Sequence, residues 1–165
     1  LGINPQGRVP ALRTDEGDLL IQSPAIIEYL EERYPQVPLL ATDLVARAHE
    51  RGVAALIGCD VHPLHNVSVL NRLRQLGHDE QQVVEWIGHW ISQGLGAVEQ
   101  LIGDQGYCFG SQPGVADVYL IPQLYAAERF NISPQAWPRI RRVAALAAAH
   151  PAFIKAHPAN QPDTP

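Results

Sequence analysis

The chain has 165 residues, a formal net charge of -5 and 46% hydrophobic content, enough apolar material to bury a core in one domain or one and a part. The acidic balance argues against a nucleic-acid partner, which needs clustered Lys and Arg. No run approaches the roughly 18 apolar residues of a membrane span, and no basic start followed by an apolar segment marks a secretory leader.

Residues 4–10 read as loop. Ala11–Arg13 is predicted as a short strand, residues 14–17 as a turn, and Leu19–Ile21 as the hairpin partner. Beyond them Ile26, Ile27, Leu30 and Tyr34 fall at helical spacing, with Glu28, Glu31, Glu32 and Arg33 on the opposite face. Ser23 reads as the N-cap and Pro24 as the first helical residue, and Pro35 stops the helix near Tyr34. A helix start gathers unpaired N–H groups and the positive end of the dipole, so this corner suits a carboxylate or phosphate. On these residues alone, an ordinary capped helix is the preferred reading over a binding site.

Residues 35–42 are Pro-rich and lack periodicity, which sets a boundary. The expected organisation is an α/β piece over 1–34, a linker over 35–42, and an all-helical domain over 43–165. Thr42 or Asp43 caps a long helix running toward Asp60, which Pro63 breaks or kinks; residues 66–76 continue it. Asp79 to Ile102 is a second long helix, with Val83, Ile87, Ile91, Leu95, Val98 and Ile102 at three-four spacing. Val115 to Arg129 is a third, apolar on all sides. Gly114 is a tolerable cap there, and Asp117 reaches back to the cap N–H as a folding residue. Residues 137–150 and 151–156 form two more helices. Arg139, Arg141 and Arg142 read as a solvated face, and the tail 158–165 as an extended surface segment.

Few residues stand out chemically. Cys59 and Cys108 form neither a metal knuckle nor a disulfide framework, and a reduced cytoplasmic setting is the default. His62, just before Pro63, reads as a helix-end histidine. With His65 it suggests a metal pair, but Pro63 spoils regular helical spacing and no further ligand follows, so no metal is expected. Arg129 reads as a cation answering the C-terminal dipole of its helix.

Several motifs, in one order along the chain, carry a resemblance. Gln22-Ser23-Pro24-Ala25-Ile26-Ile27-Glu28-Tyr29-Leu30 resembles the end of the thioredoxin-like domain of glutathione transferases, and Asn4-Pro5-Gln6-Gly7-Arg8-Val9-Pro10-Ala11-Leu12 fits the same family. Residues 61–70, the run Ala127-Glu128-Arg129-Phe130, Ala156-His157-Pro158 and the terminal residues 161–165 are similar to its zeta class, the maleylacetoacetate and maleylpyruvate isomerases. The resemblance implies a thioredoxin-like N-terminal domain, incomplete here, followed by an all-helical C-terminal domain. It implies a cis peptide at Val9-Pro10, with Val9 offering its backbone to glutathione, and a γ-glutamyl site at Gln22 and Ser23. His62, Asn66 and Ser68 match positions lining the glutathione site, and Arg129 matches the Arg that binds the substrate carboxylate.

The implied function is glutathione-dependent cis–trans isomerisation of maleylacetoacetate, or of maleylpyruvate. Its ligands are glutathione and a small dicarboxylic substrate, and its assembly is a cytoplasmic homodimer with no nucleic-acid or membrane partner. Two alternatives are a general transferase or dehalogenase on small α-halo acids and a non-catalytic assembly module. The catalytic residues are left unassigned. The class carries a Ser-Ser-Cys motif at the start of its first helix, and no stretch here matches it. The chain has no Met and its first family motif is the third strand region of the fold, so the first β-α-β unit and that motif are expected upstream of Leu1.

Overall fold

The computed structural model describes residues 2–162. The chain divides between Leu40 and Ala41 into two compact units. In the first, residues 4–8 wrap around Asn4, which is only 5% exposed. Its Nδ2 donates to the Arg8 carbonyl at 2.8 Å, its Oδ1 accepts from the Gln6 N–H at 2.9 Å, and its carbonyl accepts from the Gly7 N–H at 2.8 Å. The Val9-Pro10 peptide that follows is cis, as the resemblance implied.

Strands β1 (Ala11–Arg13) and β2 (Leu19–Ile21) pair antiparallel, with Ala11 opposite Ile21 and Arg13 opposite Leu19. Thr14 closes the turn: its N–H donates to the Asp18 carbonyl and its hydroxyl oxygen accepts from the Asp18 N–H. Gly17 takes φ 96° there, a conformation open to glycine without a Cβ penalty. Helix α1 covers Ser23–Arg33. Its cap lies one residue earlier than the sequence suggested: Gln22 is the N-cap, and Ser23 and Pro24 are the first two helical residues. After α1 the chain does not hang free, because the Glu31 carboxylate accepts the N–H groups of Leu39 and Leu40 at 2.8 and 3.2 Å.

The second unit is helical among its described residues. Helix α2 (Leu44–Ala55) is capped by Asp43, whose side chain accepts from the Val45 and Ala46 N–H groups. The expected continuation to Asp60 is replaced by a π turn over Leu56–Val61 and a 3-10 turn over His62–His65. Pro63 has no N–H for the carbonyl four residues back, and its ring crowds that carbonyl. The ladder therefore widens before the proline and tightens at it. Asn66 does not continue the preceding helix but caps α3 (Val67–Gln75), accepting from the Ser68 N–H. Asp79 and Gln82 form a reciprocal capping box at the start of α4 (Glu80–Leu101). Helices α5 (Val115–Arg129), α6 (Pro138–Ala149) and α7 (Pro151–Ala156) complete the unit.

The core forms around α4. Val83, Ile87, Ile91, Leu95, Val98 and the following Ile102 are all at most 2% exposed, and they pack with residues of the π turn, α5 and α6. Helix α5 is buried on several sides, which forces its polar side chains to find partners. Asp117 does so as a folding residue, its two carboxylate oxygens accepting the N–H groups of Cys108 at 3.0 Å and Gly114 at 2.8 Å.

Two further expectations need correction. Arg139 and Arg142 are not simply a solvated face. The Arg139 guanidinium donates to the Ile102 carbonyl at 2.9 Å and Arg142 to the carbonyls of Gly106 and Gly103, satisfying acceptors at and beyond the C-terminal end of α4. The tail is not uniformly extended, since Pro158–Asn160 form a 3-10 turn; residues 163–165 lie outside the described residues. By length and composition Leu44–Gln75 would pass as one membrane-crossing helix. It is instead two helices joined by the π and 3-10 turns, and Val53, Ile57, Val61 and Leu70 from it sit in the core.

Candidate functional site

Three of the residues singled out, Val9, Gln22 and Ser23, belong to the first unit. The β1–β2 pairing ends at Ala11 opposite Ile21, so Val9-Pro10 enters the hairpin and Gln22-Ser23 leaves it at the same end. Gln22 Nε2 donates to Gln6 Oε1 at 2.6 Å, tying the entry loop to the same corner. Gln22 has φ 72°, a strained value for a residue with a Cβ. That backbone lets β2 turn sharply into α1, and strain of this kind gathers at ligand-holding positions. The Gln22 side chain does not cap the helix. Pro24 contributes no N–H, so the Ser23 and Ala25 amides and the half-buried Ser23 hydroxyl are the donors at this helix start. Val9 is 92% exposed, leaving its backbone within reach of a ligand.

The remaining residues, His62, Asn66, Ser68 and Arg129, belong to the second unit. His62 opens the 3-10 turn and His65 closes it. Their rings meet edge to face at 5.1 Å. Burial, and secondarily the charge of a protonated His65, pushes the His62 imidazole below its ordinary value of 6.5, so the neutral form prevails near neutrality. A neutral imidazole offers one donor and one acceptor to a peptide-like ligand. Asn66 Oδ1 is committed to α3, accepting from both the N–H and the hydroxyl of Ser68 at 3.1 Å. The Asn66 amino group is therefore what that side chain has left for a ligand.

Arg129 lies in the last turn of α5. Asn131 takes φ 59°, and its N–H bonds the Glu128 carbonyl while the Ile132 N–H bonds the Ala127 carbonyl, a Schellman stop. Arg129 itself is exposed, and its guanidinium shows no ion pair or hydrogen bond among the described residues. A cavity of about 740 Å³ opens beside it, with Tyr125, Glu128, Asn131, Trp137, Phe153 and His157 in its lining, but neither Arg129 nor His62 lines it.

Sequence reading missed the groups that hold this turn in place. Trp86 Nε1 on α4 donates to the Leu64 carbonyl at 2.7 Å. His65 Nε2 pairs with the Gln123 amide at 3.1 Å, both side chains being buried. The available signal was Gln123 itself, a polar residue in the apolar run Leu120-Ile121-Pro122-Gln123-Leu124, which needs a partner if it is buried. Of the two cysteines, Cys108 is fully buried and its thiol is pushed up by burial and by Asp117, while Cys59 is exposed in the π turn.

The profile of the family "Glutathione S-transferase, N-terminal domain" matches residues 1–38, and that of "Glutathione S-transferase, C-terminal domain" matches residues 91–153. A maleylacetoacetate isomerase of Pseudomonas aeruginosa is 78% identical over 165 residues, covering 100% of this chain and 78% of that protein. The holo structure of a bacterial maleylpyruvate isomerase of the zeta class superposes with a TM-score of 0.94 at 45% identity, covering 99% of this chain and 79% of that one. A maleylacetoacetate isomerase from Anaeromyxobacter dehalogenans, solved with glutathione in its active site, superposes with a TM-score of 0.92 at 40% identity over 98% and 76% of the two chains.

The two family profiles, with the relatives and superpositions that cover nearly the whole chain, make the chain a glutathione transferase. Within that class the chain belongs to the zeta-class maleylacetoacetate isomerase family.

Proposed function

We propose that this protein isomerises maleylacetoacetate to its trans, fumaryl form with glutathione as cofactor, and that maleylpyruvate is the second substrate to test. The observation that carries this is the likeness, along the whole chain, to the P. aeruginosa isomerase. Bound glutathione supplies a thiol whose reversible addition to the conjugated double bond leaves a single bond free to rotate. The protein's own task is to hold two anions at set positions, and proximity of this kind removes much of the barrier.

The residues suit that task. The Ser23 hydroxyl and the α1 amides fit the γ-glutamyl carboxylate, with Gln22 beside them and the Val9 backbone available to the cysteinyl part. His62 and the Asn66 amino group offer further hydrogen bonds to the tripeptide, with the Ser68 hydroxyl holding the Asn66 side chain beside them. Arg129, whose planar fork meets a carboxylate in two hydrogen bonds, fits the substrate. The buried Cys108 is a structural thiol, and the group that activates the glutathione thiol is not assigned to a residue of this chain.

In this reading residues 1–34 are part of the glutathione-binding domain, 35–42 the linker, and 43–165 the helical domain that adds the substrate residues. The protein acts in the cytoplasm as a twofold homodimer without a nucleic-acid or membrane partner. The test is a spectroscopic isomerase assay of the full-length protein. Conversion of maleylacetoacetate that requires glutathione and leaves its total unchanged is the expected result. A stable glutathione conjugate, or turnover of α-halo acids instead, would replace the reading with a transferase or dehalogenase.

A further inference from the structure

We propose that His65 is a positioning residue for this site, joining the turn that carries His62 and Asn66 to the end of α5 that carries Arg129. The inference rests on the functional reading above and adds a residue to it.

His65 is 6% exposed and Gln123 2% exposed, and their side chains meet at 3.1 Å although they lie 58 residues apart in sequence. A hydrogen bond between two buried side chains fixes direction as well as distance, because neither group can turn to water instead. The His65 ring has two aromatic neighbours as well. One edge-to-face contact is with His62, at 5.1 Å and 85°, and the other is with Phe130, at 6.1 Å and 69°. Phe130 follows Arg129 directly, at the cap of α5. The Gln123 bond thus sets the plane of one ring, and that ring touches both the candidate glutathione-facing imidazole and the residue next to the candidate substrate clamp. Along α5 itself Gln123 and Arg129 are separated by about 9 Å of helix rise, so the helix transmits the same placement. The Trp86 bond to the Leu64 carbonyl holds the turn from α4. It restrains the backbone but leaves the ring's orientation to Gln123.

A pair that serves only to fill the core behaves differently from one that positions. Removing one partner strands a buried polar group and destabilises either kind. Replacing both by apolar groups of similar shape restores stability in either kind, but restores function only if orientation does not matter.

The experiment uses the full-length protein and four variants: His65→Phe, Gln123→Leu, the two combined, and His65→Gln, which keeps an amide able to bond Gln123. Melting temperature, glutathione affinity by calorimetry, and kcat and KM with maleylacetoacetate are measured on each. The expected result is a combined variant that melts close to the native protein. Its KM values for glutathione and for the substrate should both rise on the order of tenfold, with kcat reduced less, and His65→Gln should recover part of the loss. A combined variant with native KM values overturns the inference while the functional reading stands. Absence of glutathione-dependent isomerisation in the native protein overturns both. Either single variant failing to fold is consistent with a stranded polar group, and the combined variant then decides.

Discussion

At the residue scale the sharpest question concerns Arg129. Its position in the last turn of α5 satisfies the helix dipole, and that role alone explains a cation there. The two roles differ in magnitude. A surface charge at a helix end contributes roughly 0.3–1 kcal/mol. A charged hydrogen bond to a substrate contributes roughly 1.5–3 kcal/mol, on the order of ten- to a hundredfold in kcat/KM. Arg129→Ala is therefore expected to lower kcat/KM for dicarboxylic substrates by that factor, with a small change in melting temperature and near-native glutathione binding. Arg129→Lys should recover only part, because the fork is lost. A lower melting temperature with unchanged kinetics would return Arg129 to a purely structural role.

His62 gives a prediction of different sign. Its imidazole titrates below its ordinary 6.5 because of burial first and His65 second. The unfolded chain therefore binds the proton more readily than the fold does. Stability is unaffected by this group well above pH 6.5, declines as the pH falls through that value, and levels off below the folded titration point. Replacing His62 with Gln, which keeps hydrogen-bonding capacity without the charge, should flatten that part of the stability profile in chemical denaturation between pH 7.5 and 5. An unchanged profile would mean that the imidazole titrates alike in both states.

Among the elements, α4 shows how spacing, capping and close approach combine. Its apolar stripe and its Asp79–Gln82 box are both written in local sequence, so its length was legible. The features that depend on a neighbour were not. Gly94 reads as a weak point in a helix, yet a Cβ there would collide with the Val61 side chain. The glycine lets the π turn pack against α4, and the π turn could not be anticipated because Pro63 announces a break without saying how the preceding ladder accommodates it. Gly88, on the same helix, has nothing within 4 Å of the corresponding position. Alanine gains about 1 kcal/mol over glycine in a helix, while overpacking a core costs roughly 1–3 kcal/mol. Gly88→Ala should raise the melting temperature and Gly94→Ala should lower it, opposite signs from one substitution type in one helix. A stabilised Gly94→Ala would show that Val61 yields at no cost.

The site divides along the same line. Ser23, His62 and Arg129 stand out because sequence motifs carry them. The Trp86 clamp and the His65–Gln123 pair emerge only when distant segments meet, while the strained Gln22 backbone and the Asn4-centred loop are local geometry that no residue type there announces. Arg139 and Arg142 belong with them: three arginines within four residues suggest a charged surface, but two find carbonyls near the end of another helix.

For the whole molecule the open quantity is assembly. The start of α2 exposes Leu44 at 81% and Val45 at 64%, adjacent apolar side chains at the first two positions of a helix otherwise well provided with polar groups. Isolated exposed apolar residues are ordinary, so this pair alone does not make an interface. The proposed homodimer nevertheless gives it a specific use, since a twofold axis brings the same patch from each copy into one contact and closes the assembly. Light scattering of the full-length protein should give twice the mass of its chain. Leu44→Glu combined with Val45→Glu should shift the protein toward monomer, because like charges would face each other across the axis, while circular dichroism stays native because neither side chain is buried in the unit. A native protein of single-chain mass would refute the dimer. A dimer untouched by the double substitution would keep the assembly but move its interface away from α2.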